Sequence, residues 1–140
     1  MRTSIAVAAL LLFASAGCSH RSPTAPSEPG SFVLAPGQSI SYGALTVSFL
    51  EVSADSRCPA DATCLQFVAG DATVVLEILN GGSSRRSELQ VNDPSKRHIS
   101  QGGYLIELTQ LSPYPLVGRP IARGDYRATI EISPERASLR

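Results

Sequence analysis

The chain has 140 residues, and its 12 basic and 12 acidic side chains cancel at pH 7. That balance gives no electrostatic reason to expect nucleic acid as a partner. With two histidines, one of them (His20) outside the strand-rich region, and a single methionine at position 1, the chain offers only His98 as a base for nucleophilic catalysis and no methionine for a copper site.

Arg2 supplies a positive start, Ile5 to Phe13 form a short apolar run, and Ser15-Ala16-Gly17-Cys18 places small residues before a cysteine. The run falls well short of the roughly 20 residues needed to span a bilayer, so the layout predicts a secretory signal peptide over residues 1–17. Its end resembles the lipobox of bacterial lipoproteins, with Ser15 standing where that family usually has Leu. The resemblance implies that Cys18 becomes the first residue of the mature protein and carries acyl chains such as palmitate. The membrane is then a partner through the lipid anchor. Three acyl chains, usual in that family, hold a protein far more firmly than one. Ser19 does not resemble an inner-membrane retention signal, which favours an outer-membrane protein facing the periplasm. Residues 18–30 contain Pro23, Pro26 and Pro29 among small polar residues, a spacing that favours extended polyproline II and a spacer of roughly 30 to 40 Å.

From residue 31 the hydrophobic period is two. Leu45, Val47 and Phe49 alternate with Thr46 and Ser48, and Ala72, Val74, Leu76 and Ile78 with Thr73, Val75, Glu77 and Leu79. The same holds for Tyr104, Ile106 and Leu108, and for Tyr126, Ala128, Ile130 and Ile132. Such runs are strands with a face turned inward. Turn signals stand between them at Pro36-Gly37, Asn80-Gly81-Gly82, Asn92-Asp93-Pro94, Gly102-Gly103 and Gly124-Asp125. Asn80-Gly81-Gly82 predicts a hairpin between strands 71–79 and 84–91. The expected fold is all-β: a single antiparallel β-sandwich of seven or eight strands over residues 31–134, with a small β-barrel as alternative. Residues 135–140 read as a tail. An immunoglobulin domain is disfavoured, because its facing-sheet cysteines and core Trp are missing.

With Cys18 assigned to lipid, Cys58 and Cys64 remain as a pair in an oxidising compartment, and a disulfide is expected between them. Closing so short a loop stabilises the fold by roughly 2 kcal/mol in the chain-entropy picture. The segment Asp55-Ser56-Arg57-Cys58-Pro59, then Cys64, Ala69-Gly70, and later Leu111-Ser112-Pro113-Tyr114-Pro115, resembles a set of small uncharacterised bacterial exported proteins. Those relatives often have Trp soon after the second cysteine, where this chain has Leu65-Gln66-Phe67-Val68. The resemblance implies a common fold and brings no activity with it.

Three residues stand out as candidate binding residues: Asp55 and Arg57 beside the cysteine loop, and Tyr114 between two prolines. Pro59 extends Cys58, Asp55 and Asp61 are turn formers, and Arg57 is placed to pair with either of them. The structural reading is a braced turn; the functional one is a rigid recognition loop that loses little entropy on binding. Tyr114 offers an aromatic anchor of the interface type, or with Ile121 a plug for the open end of the sandwich. Arg85, Arg86, Lys96 and Arg97 form a basic spot that reads as an ordinary solvated face. No catalytic residue, metal site or cofactor is indicated: His98 has no evident partner, and Asp55, Asp61 and Asp71 match no calcium loop. The expectation is a non-catalytic binding or structural module of the bacterial envelope, with an envelope protein as candidate partner. The alternatives are a protease inhibitor acting through the 58–64 ring or the 112–124 loop, and a hydrolase using Glu51, Glu77, Glu107 or Glu131 as paired carboxylates.

Overall fold

Strict alternation along Ala72–Asn80 puts Ala72, Val74, Leu76 and Ile78 on one face, each fully buried. A computed structural model of the protein describes residues 28–64 and 70–135. The expected signal peptide, Cys18, the expected tether up to residue 27, the segment 65–69 and residues 136–140 lie outside the described residues. In chain order the strands are β1 (Gly30–Leu34), β2 (Ser39–Tyr42), β3 (Leu45–Asp55), β4 (Ala72–Asn80), β5 (Ser83–Gln90), β6 (His98–Gln101), β7 (Tyr104–Ser112) and β8 (Arg127–Pro134). A single 3-10 turn, Arg123–Asp125, precedes β8.

The strands make two four-stranded antiparallel sheets, β1-β8-β7-β6 and β2-β3-β4-β5, packed face to face. This is the expected β-sandwich, and neither sheet closes into a barrel. The predicted hairpin forms between β4 and β5, with Asn80 opposite Ser83. Gly81 and Gly82 both take positive φ (55° and 88°), the conformation a two-residue turn needs to match strand twist.

Leu45, Val47, Phe49, Leu76 and Ile78 from one sheet meet Ile106, Leu108, Ile130 and Ile132 from the other, all essentially inaccessible to solvent. Two strands depart from strict alternation. In β7 the register shifts between Leu108 and Gln110, so Thr109 and Gln110 are both exposed and Leu111 returns to the core. In β3 shifts after Phe49 and after Val52 bend the strand toward its end at Asp55. Bulges of this kind re-aim a strand end without breaking the sheet. β5 is an edge strand that places Arg85 in an inward register opposite Ile78 and keeps it exposed, a charge that discourages edge-to-edge pairing.

One pole of the sandwich gathers the end of β3, the start of β4, the end of β7 and the start of β8. At the other, Tyr42 packs edge-to-face against Phe32 and Tyr104, with centroids 6.0 and 5.6 Å apart. Phe49→Ala is expected to cost about 3–5 kcal/mol, through lost burial and an unfilled cavity. Val33→Ala, at a position 62% exposed, should stay within about 0.5 kcal/mol of the parent. Urea denaturation of both variants checks the pair.

Candidate functional site

Asp55 ends β3, and its carboxylate Oδ1 accepts the backbone N–H of Arg57 at 3.2 Å, closing a tight turn. That turn sends the Arg57 side chain inward. Arg57 is 3% exposed and the charged residue of the described core. Its guanidinium is bidentate on Asp55, Nε to Oδ1 at 2.8 Å and Nη2 to Oδ2 at 2.7 Å. Nη1 donates to the Leu111 carbonyl at 2.6 Å and Nη2 to that of Pro113 at 2.9 Å. The Tyr126 hydroxyl completes the group, donating to Asp55 Oδ2 at 3.1 Å. The Tyr114 ring covers the guanidinium from outside, 4.7 Å from Cζ to the ring centroid, a favourable cation–π geometry.

Burial alone raises the Asp55 pKa, but hydrogen bonds and charge from Arg57, with the Tyr126 hydroxyl, outweigh it and hold the carboxyl below its usual value. Burial opposes the charge on Arg57, and Asp55 more than restores it, raising its pKa. Tyr126 is pushed up by burial and then by the Asp55 carboxylate beside it. The pair is therefore ionised at neutral pH. Its outward surface is covered, so Arg57 braces two loops rather than offering a free guanidinium.

Those loops are the two that stood out in the sequence. Cys58 and Cys64 are disulfide-bonded as expected. The ring they close docks against the proline-rich loop: Ala60 N–H donates to the Pro115 carbonyl at 2.9 Å and Val117 N–H to Asp61 Oδ1 at 2.8 Å. Leu116 and Arg119 bridge across a turn at Val117-Gly118, with Gly118 at φ 66°. The Ser112–Pro113 peptide is cis. So held, the loop exposes Tyr114 (52%), Leu116 (37%) and Val117 (60%). Ile121 folds back against the core and Tyr114 does not. Behind this ridge lies an open cleft of about 420 Å³, floored by Asp55 and Tyr126 and walled by Pro115, Leu116, Arg119 and Ile121.

The three aspartates weighed for calcium serve three separate jobs. Asp55 holds Arg57, Asp61 caps Val117, and the Asp71 carboxylate accepts the amides of Ala72, Asn92 and Asp93. No cluster of three or more His, Cys, Asp or Glu arranged for a metal occurs among the described residues. Gly70 sits where a Cβ would lie 1.7 Å from the Ser56 carbonyl oxygen. Ser56 and Asp71 are joined there by backbone and hydroxyl bonds of 2.8 to 3.1 Å, so only glycine lets the segments meet. Three of the four cations of the basic spot have acidic neighbours: Arg86 with Glu77, Lys96 with Asp93, Arg97 with Glu107. Glu107 and Glu131 face each other across β7 and β8, on the outer face of the sheet. Glu51 lies 3.8 Å from Arg123.

Tyr126, Arg119 and the carbonyls of Leu111 and Pro113 did not stand out in the sequence. Tyr126 read as a core strand residue, and a backbone carbonyl has no sequence signature. No protein-family model, curated protein or solved structure matches the chain.

Three substitutions have expected outcomes. Arg57→Ala strands a buried carboxylate and two carbonyls and should cost about 3–5 kcal/mol in chemical denaturation. Arg57→Lys should recover little of it, because an ammonium cannot reproduce the bidentate fork. Because the folded Asp55 pKa lies below its unfolded value of about 3.9, its contribution is complete above that pH and is lost as pH falls through the folded pKa. Asp55→Asn should therefore lower stability at pH 6 and reduce the loss between pH 5 and pH 2, read by thermal melts across that range.

Proposed function

We propose that this chain is a non-catalytic binding module of the bacterial envelope, anchored through acylated Cys18, that docks a protein partner on the ridge formed by residues 58–64 and 113–121. The observation that carries this reading is an exposed apolar ridge, Tyr114–Leu116–Val117, on a loop held by a disulfide-closed neighbour and a buried ion pair. Preformed loops bind with little ordering cost, and rigid aromatic and aliphatic anchors dominate binding energy. Arg119 is exposed at the ridge, whereas Arg123 lies 3.8 Å from Glu51. A partner with an apolar contact and an acidic group opposite Arg119 fits that surface. The anchor itself is supported by the lipobox resemblance at Ser15–Cys18.

Photoreactive residues at Tyr114 and Val117 in the native lipidated protein test the reading, with Ser84 on the outer sheet face as control. The expected result is one shared protein adduct at 114 and 117, absent at 84 and diminished by Arg119→Glu. The absence of any adduct at both ridge positions, or the same adduct at all three, overturns it.

A further inference from the structure

We infer that the Tyr114–Val117 ridge points away from the membrane that anchors the chain, so that its partner approaches from the aqueous side. This rests on the Cys18 anchor proposed above and concerns the direction in which that anchor presents the domain.

The path of β1 fixes the direction. Gly30 pairs with Ile132 and Leu34 with Ala128, so the chain enters beside the end of β8 and runs toward its start. Entry is tied down at that first pole, where the Tyr42 hydroxyl donates to the Glu28 carbonyl and the Tyr42 ring packs on Phe32 and Tyr104. The Glu135 N–H donating to the Gly103 carbonyl at 2.8 Å brings the end of β8 to the same pole. The ridge grows from the opposite ends of the strands, after Asp55 of β3 and Ser112 of β7, where Asp55 also accepts the hydroxyl of Tyr126, just before β8.

At about 3.3 Å per residue, the nine residues of β4 separate the poles by roughly 30 Å. The stretch from Cys18 to Glu28 spans at most roughly 40 Å when fully extended. To bring the ridge to the bilayer, that stretch has to run back along the domain over about three-quarters of its full reach, which restricts its conformational freedom. With the entry pole toward the bilayer it keeps that freedom.

The side chains at the two poles differ in the same sense. The entry pole ends in three two-residue turns, Gly43-Ala44, Gly81-Gly82 and Gly102-Gly103, none carrying a side chain larger than a methyl. The far pole carries Tyr114, Leu116 and Val117. Among the described residues, small-side-chain turns beside the tether and an apolar ridge opposite suit a domain that meets its partner at its far end.

Energy transfer tests the direction. The full lipidated chain, with a donor at Ser83→Cys or Val117→Cys, is reconstituted in phosphatidylethanolamine–phosphatidylglycerol vesicles containing an acceptor-labelled lipid. Both positions are exposed, and the disulfide leaves the introduced thiol as the labelling site. The label at 83 is expected to lose most of its donor emission, and the label at 117 to keep most of it. Equal or reversed transfer in protein that floats with the vesicles overturns the orientation and leaves the anchor standing. Protein that fails to float overturns the anchor, and the orientation with it.

Discussion

A guanidinium can sit in an apolar interior only if its charge is matched and its N–H groups are occupied. Arg57 meets that demand with one carboxylate and two main-chain carbonyls, and the whole far pole is arranged around it. The Asp55 turn aims the side chain inward, and the bulge in β7 returns Leu111 to the core just where its carbonyl is needed. Tyr114 then closes over the charge and excludes water. A fork with planar, divergent donors holds a carboxylate and two carbonyls at once, which a point charge does not do.

The two halves of the molecule use different physics. Between the sheets the alternation of apolar residues is sufficient, and the core is aliphatic and aromatic, with the hydroxyls of Tyr42 and Tyr126 bonded at its two ends. At the far pole the loops turn Tyr114, Leu116 and Val117 outward, so burial contributes little to holding them. They are held by specific bonds: the disulfide, the Arg57 pair, the Asp61 cap on Val117 and the Ala60–Pro115 contact. The Asp71 corner repeats the device, one carboxylate collecting the amides of Ala72, Asn92 and Asp93. Because polar contacts hold these loops, the apolar side chains of the 113–121 loop are left free to face outward. The ridge follows from that division.

Strands were legible because burial on one face imposes a period of two, and Leu45–Phe49, Ala72–Ile78, Tyr104–Leu108 and Ala128–Ile132 all obey it. The sandwich followed from their number and spacing, the β4–β5 hairpin from the φ values that only Gly-Gly supplies readily, and the Cys58–Cys64 bond from cysteine number and compartment. Asp55, Arg57 and Tyr114 stood out individually, because their types are unusual beside a cysteine loop or between prolines.

What the amino-acid sequence determined alone was local: which residues turn inward, where the chain reverses, and which two cysteines pair. Each of those properties depends on neighbours a few positions away. Only the tertiary structure decided that Arg57 is buried and not presented, that Tyr126 serves Asp55, and that the 58–64 ring and the 113–121 loop form one surface. Those contacts join residues more than fifty positions apart, through main-chain carbonyls and a shared pole. No local pattern encodes them, since a carbonyl is the same at every residue and the meeting of strand ends is set by topology.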